Sequence, residues 1–243
     1  MIPAQPEHPT ITGPLTITTT LTHFAIITYR VDVAAVIATI SHPRFVPTQV
    51  GGTALASAVH FVDEDFRFRH LPWPRWWFAQ TNYRIYVTDA ATGEPGVWFL
   101  GTALDSPWVS LPRHAWSMPW HLTRHDLTTS ASRWHYACTG WGAATAELIP
   151  DVGPVTALDD LPDLTAAHAL LTHPHRGWFR RRDGRLGSYA IAHPAMDWRL
   201  GAAIAVNHPR FARSGIPTQG LHSVLTTAAI PFTISLPPRL IPD

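Results

Sequence analysis

Three polar side chains stand at alternate positions in an otherwise apolar run. Asn82, Arg84 and Tyr86 alternate with Tyr83, Ile85 and Val87, and in a strand alternate residues share one face. An amide, a guanidinium and a phenol in a row suit the wall of a wet pocket; turned into a dry interior they would cost free energy unless partnered. The same spacing also fits a sheet with one face in solvent. Arginine supplies a fork of donors that matches a carboxylate or an enolate oxygen. That makes Arg113 and Arg30 candidates beside Arg84, against the plainer reading of surface ion pairs. The densest histidine group is His114, His121 and His125, and a histidine there could act as general acid or base near neutral pH. On a helix His121 and His125 would share a face and invite zinc. Pro119, the missing helical pattern and Asp126 as a weak third ligand argue against that, so no metal is expected. His135 and Tyr136 are secondary candidates.

Composition narrows the chemistry. All 18 basic side chains are arginine and none is lysine, so no side-chain amine exists for an imine. A GC-rich genome would remove most lysines without any functional cause, but the chemical consequence stands. The net charge of +1 argues against nucleic acid, which needs a basic face. Arg176, Arg180, Arg181, Arg182 and Arg185 surround Asp183-Gly184, the tip of a solvated turn. Cys138 is the single cysteine and reads as a small buried hydrophobe. No signal peptide or membrane-length apolar stretch is evident, which predicts a cytoplasmic chain with no membrane partner. No Gly-rich phosphate loop, Gly-x-Ser-x-Gly elbow or acidic metal cluster occurs, so no cofactor is expected.

The elements that must position these residues are mostly strands. With 243 residues, of which 46% are apolar, one domain over 1–243 is expected, after a loose arm at 1–13. Leu15 to Val31 is β-rich, Asp32 caps a helix from Val33 to Ile40, and Gly51 to Phe68 reads as one long strand or two short ones. Trp76 to Asp89 and Gly96 to Asp105 form a hairpin across a turn containing Gly93. A short helix starts at Ser106-Pro107. Two further hairpins centre on Gly140 and on Asp183-Gly184, a helix runs from Leu164 to Thr172, and Trp198 to Val206 is a strand. The proline-rich tail carries one strand at Phe232 to Ser235. His42-Pro43-Arg44-Phe45 recurs as His208-Pro209-Arg210-Phe211, as coincidence or as two similar loops. This pattern predicts a mainly β, antiparallel barrel or sandwich with two or three short helices.

Several segments in order resemble a conserved bacterial family of unknown function, the YqjF-like group, within the acetoacetate-decarboxylase-like superfamily. They are Tyr29-Arg30-Val31-Asp32, Gln80-Thr81-Asn82-Tyr83-Arg84-Ile85-Tyr86-Val87, Gly96-Val97-Trp98-Phe99-Leu100 with Leu104-Asp105, and Arg113 followed by Met118-Pro119-Trp120-His121. His193-Pro194 with Trp198 also fits. The likeness is densest over residues 25–125 and thins past 150. It implies a barrel-like fold with a small-molecule pocket in its middle. In the decarboxylase an imine-forming lysine follows a proline in the segment matching Pro119-Trp120-His121; this chain has tryptophan and histidine there. The family often has an acid at the place of Gln80, where this chain has an amide.

On that resemblance, His121 and Arg113, helped by Tyr86, are expected to be catalytic. Arg84, Asn82, Gln80, Arg30, Trp98, Trp116 and Trp120 are expected to bind substrate. The expected activity is a cofactor-independent lyase, isomerase or cyclase. It would act on a small apolar carbonyl- or carboxylate-containing metabolite, in specialised metabolism, without Schiff-base chemistry. The same pocket would also serve a non-catalytic small-molecule binder. Superfamily relatives assemble, which leaves a homo-oligomer open.

Overall fold

The computed structural model describes residues 15–71 and 73–242; the expected arm at 1–13 lies outside them. In chain order, β1 (Ile17–Val31) leads into α1 (Val33–Ile40), and β2 (Phe45–Pro47), β3 (Gln49–Val50), β4 (Thr53–Phe68), β5 (Trp76–Asp89) and β6 (Pro95–Leu104) follow. After one 3-10 turn come α2 (Ser110–Ala115), β7 (Trp120–Leu122), β8 (His125–Thr129), β9 (Trp134–Cys138) and β10 (Ala144–Pro154). The chain ends with α3 (Leu164–Leu171), β11 (Arg176–Arg180), β12 (Leu186–Ala192), β13 (Arg199–Asn207), α4 (Arg210–Arg213), β14 (Thr218–Ile234) and β15 (Arg239–Ile241). No helix among the described residues is long and apolar enough to cross a membrane.

The protein is mainly β and antiparallel-dominated, as its turn and strand chemistry predict. Local signals act where expected. Asp32 and Asp163 cap α1 and α3, their carboxylates accepting from the Ala35 and Ala166 amides at 2.7 and 2.8 Å. Among the described residues there are four α-helices where two or three were expected. The additional one is α4, and it corrects the reading of the repeat. The first His-Pro-Arg-Phe copy enters β2 and the second enters α4, so the two are not similar loops.

Strands β12, β11, β6, β5, β4, β1 and β14 pair in turn, and a short β12–β14 pairing closes them into a barrel-like ring. From β14 the sheet continues through β13, β10, β9 and β8 and folds over the outside of the ring. Apolar residues accordingly form two large clusters. One lies inside the ring, around Leu21, Phe24, Phe61 and Phe99. The other lies between the ring and the folded-over arm, around Tyr29, Tyr83, Tyr136 and Phe211.

The largest departure from expectation is β14. The tail was expected to hold only Phe232 to Ser235, but a strand of 17 residues pairs with β1 along nearly its whole length. Pro231 hid it, because proline argues against a central strand. The ring tolerates Pro231 because it sits between the two stretches where β14 has a second neighbour, Thr226 beside Arg199 and Thr233 beside Ala192.

Candidate functional site

The interior of the ring holds a pocket of about 60 Å³, and one face of β5 supplies its polar wall: Gln80, Asn82 and Arg84. Their partners across β4 are Phe61, Val59 and Ser57. The other face of β5, with Tyr83, Ile85 and Val87, is fully buried against the outer cluster. The strand is covered on both sides, so the solvent-facing alternative is excluded for Asn82, Arg84 and Tyr86.

Arg84 is only 7% exposed. Its Nη2 donates to the Leu171 carbonyl at 2.9 Å and to the Tyr86 hydroxyl at 3.3 Å. Leu171 is the last residue of α3, so the arginine satisfies a carbonyl that the helix leaves without a partner of its own and sits at the negative end of its dipole. Nε of Arg84 is buried and unpartnered, and no carboxylate among the described residues pairs with this guanidinium. A buried cation without an anion is costly, and a ligand oxyanion would relieve that cost.

Asp63 on β4 lines the same pocket and is 2% exposed. Thr19 donates to Oδ1 at 3.1 Å, while Oδ2 is buried without a partner. Burial pushes this carboxyl up to about 8, so near neutral pH it is chiefly the acid, with an O–H to give. Asp63 lies opposite Phe78 and Ser57 lies opposite Arg84; six residues of strand separate those positions by about 20 Å. Gln80 is the diagonal neighbour of Asp63 on the shared face. Gln80 Nε2 donates to Asn82 Oδ1 at 2.8 Å, leaving the Asn82 amide N–H groups for the pocket. The result is one polar line, Asp63–Gln80–Asn82–Arg84, with a neutral acid at one end and a cation at the other. Sequence reading missed Asp63. The available signal was alternation on β4, where positions 57, 59, 61 and 63 share the face opposite Arg84.

Strand alternation also moves His121. Trp120 lines the pocket, so the next residue of β7 points away. His121 stacks on Trp141 at 3.9 Å between ring centroids, and its Nδ1 lies 3.5 Å from Arg113 Nη1. Burial, with the nearby cations Arg113, Arg210 and Arg182, lowers its pKa to about 4. Arg113 also donates to the Trp120 carbonyl at 3.1 Å. The two stand together, outside the pocket. Tyr86 is fully buried behind Arg84, with Ser57 Oγ at 2.7 Å and its hydroxyl donating to the Leu171 carbonyl at 3.3 Å; it positions the arginine. Arg30 pairs with Asp160 at 2.7 Å, the ion-pair alternative. Trp98 packs on Phe45 in the outer core. Trp116 joins Trp120 on an adjoining groove. His114 is exposed, and His121 and His125 lie on separate strands. No group of three His, Cys, Asp or Glu able to hold a metal occurs among the described residues. The buried Cys138 thiol is pushed up to about 11 by desolvation.

Behind the β4–β5 wall runs a buried chain of hydrogen bonds whose directions can be derived. Thr123 spends its one hydroxyl proton on the Leu104 carbonyl at 3.2 Å. His125 Nδ1, at 3.3 Å, must therefore donate to Thr123, and Nε2 of the same ring accepts from Thr81 at 3.1 Å. Thr81 in turn accepts from His60 Nδ1 at 3.0 Å. His60 Nε2 then accepts from His208 Nε2 at 2.8 Å, and Tyr29 donates to His208 Nδ1 at 2.7 Å. Every member is satisfied only if all three rings are neutral. Desolvation drives them there: His208 falls to about 3, His125 to about 4, and His60 well below its ordinary value, with charge on His208 and His125 opposing it further.

This ring of strands around a small pocket, with the rest of the same sheet folded over it, is similar in fold to solved acetoacetate-decarboxylase-like structures. The crystal structure of acetoacetate decarboxylase from Legionella pneumophila matches with a TM-score of 0.68 at 14% identity, covering 98% of this chain and 90% of that one. The enduracididine biosynthesis enzyme MppR, complexed with pyruvate, matches at 0.60 and 15% identity over 96% and 93%. An acetoacetate decarboxylase-like enzyme from Sphingomonas wittichii RW1 matches at 0.60 and 10% identity over 96% and 95%. The chain itself belongs to DUF2071, the uncharacterized conserved protein family COG2071, which matches residues 18–230. No curated protein matched.

Proposed function

We propose that this protein catalyses a cofactor-independent lyase, isomerase or cyclase reaction on a small apolar metabolite carrying a carboxylate or carbonyl, without an imine. The observation that carries the reading is the pairing, in one pocket, of a buried arginine with no counter-ion and a buried aspartic acid with an unspent oxygen. The substrate carboxylate docks on Arg84. The Asn82 amide donates to an oxygen part-way along, polarising the adjacent carbon. Asp63, as the acid, gives the Oδ2 proton to a leaving hydroxyl, which departs as water. The resulting carboxylate takes the proton from the neighbouring carbon, so that a double bond forms and the acid is restored. A carboxyl raised to about 8 suits both halves near neutral pH. Lysine is absent from all 243 residues, which supports a route other than the imine. The likeness of fold to MppR, an enduracididine biosynthesis enzyme, supports a place in specialised metabolism.

The test is to incubate the protein with hydroxy and keto acids whose oxygen function lies far enough from the carboxylate to reach Asp63 while the carboxylate rests on Arg84, follow product by NMR, and repeat with Asp63→Asn and Arg84→Met. Turnover lost in Asp63→Asn with KM little changed, and KM raised in Arg84→Met, is the expected result. Turnover unchanged in both variants would overturn it. Ligand binding that needs Arg84 but never gives product would leave a small-molecule binder in its place.

A further inference from the structure

The inner pocket is too small for its own chemistry. A volume of about 60 Å³ admits a head group, whereas ligand sites usually run upward from about 300 Å³. An adjoining groove of about 280 Å³ shares four walls with it: Ile17, Phe66, Trp120 and Leu236. The groove is almost wholly apolar, with Ser106 as its one polar lining residue. One strand face serves both spaces. Positions 84, 82 and 80 of β5 line the inner pocket, and Phe78 and Trp76 on the same face line the groove. From Gln80 to Trp76 the strand advances about 13 Å, and from Arg84 to Trp76 about 26 Å. Trp108 and Leu111, 58% and 54% exposed, form the outer rim.

We infer that the ligand is an amphiphilic carboxylic acid: its head is held at Arg84, its oxygen function lies along the polar line, and its apolar tail leaves past Trp120 into the groove. This rests on the proposed role of Arg84 and adds the substrate class. The direction is set by charge. Among the described residues the only cation lining either space is Arg84, at the end of the polar line farthest from the groove, and the groove offers nothing to a second charge.

Straight-chain acids from hexanoic to octadecanoic are the probes, with matching alcohols as controls. Binding is read from quenching of the groove tryptophans and checked by calorimetry. Affinity should rise about threefold or fourfold per methylene until the groove is full. Arg84→Met should weaken all the acids alike, and by more than tenfold, while leaving the alcohols unchanged. Leu111→Glu puts a carboxylate at the exposed rim, where the fold tolerates it. It should flatten the dependence on chain length and spare hexanoic acid; Trp108→Ala, which widens the rim, should move the optimum to longer chains. Acids that bind through Arg84 with no dependence on length would overturn the tail and leave the head intact. Length-dependent binding of acids and alcohols alike, insensitive to Arg84→Met, would overturn the head assignment. Self-association abolished by Leu111→Glu would overturn the inference by placing a second copy in the groove.

Discussion

Replacing Asp63 by asparagine should stabilise the protein, and increasingly so as pH rises. The carboxyl is 2% exposed, accepts one hydrogen bond from Thr19, and is raised by burial from 3.8 to about 8. The folded state therefore keeps a proton that the unfolded chain releases near pH 4. Stability from this group is fully present below the unfolded pKa and is lost as pH rises through the folded one. At about 1.36 kcal/mol per pKa unit, the loss by pH 7 reaches roughly 4 kcal/mol, an upper limit that pocket water would reduce to about half. Asparagine keeps the acceptor for Thr19 and cannot ionise. Urea titrations at half-unit steps from pH 4.5 to 8.5 should give a wild-type-minus-variant difference that starts within about 1 kcal/mol of zero and grows to about 3–6 kcal/mol in favour of Asp63→Asn. Subtraction cancels the histidines, which titrate in both proteins. Curves that stay parallel within about 0.5 kcal/mol across this range would refute a buried, neutral Asp63.

Acid should unfold the protein through its histidine chain. The folded pKa values of His125 and His208 are depressed to about 4 and about 3, so stability present above pH 6.5 drains as pH falls towards those values. Nitrogen chemical shifts should show these rings still neutral at pH 5; a protonated ring at that pH would contradict the derived tautomers. His208→Phe strands Tyr29 and His60 and should cost about 2–4 kcal/mol in urea denaturation. Arg84→Met should change stability by less than about 1 kcal/mol in either direction, because losing two hydrogen bonds offsets removal of an unpaired buried charge. Tyr86→Phe should cost about 1–2 kcal/mol and raise KM while leaving kcat within a few-fold, as expected of a group that only holds Arg84.

The strands flanking the pocket were readable because their chemistry is local. Trp76–Asp89 has strong β formers bounded by turns, and Asp32 and Asp163 announce their helices. What could not be read is non-local. Ring closure depends on the brief meeting of Ile191 with Ile234 and Ala192 with Thr233, which no local pattern encodes. The face of β5 was readable from alternation, and so were Asn82, Arg84 and Tyr86 as a row, whereas Gln80 came only from the resemblance. Whether that row meets solvent or an interior depends on what covers it. Asp63 reads as one acid in the run Asp63-Glu64-Asp65 until the β4–β5 register sets it beside Gln80. His60 and His208 are 148 residues apart, so their bond is a product of topology alone.

The segment Pro119-Trp120-His121 is where the resemblance puts an amine, and alternation on β7 decides which residue replaces it. Trp120 lines both the inner pocket and the groove, while His121 turns to Trp141. Trp120 therefore stands as an apolar divider between the inner pocket and the groove, and His121 lies outside both. This can be tested by placing a lysine at each position in turn. In Trp120→Lys the side chain would enter a largely apolar pocket beside the Arg84 charge, and both surroundings depress an ammonium pKa. Enough free amine would then exist near neutral pH to condense with a keto acid. Borohydride treatment in the presence of pyruvate should leave a stable mass adduct on that variant at position 120 and none on the wild type. The companion variant His121→Lys points away from the pocket and should give no adduct. Labelling of His121→Lys in preference to Trp120→Lys would show that the alternation on β7, and the assignment of the pocket wall built on it, is wrong.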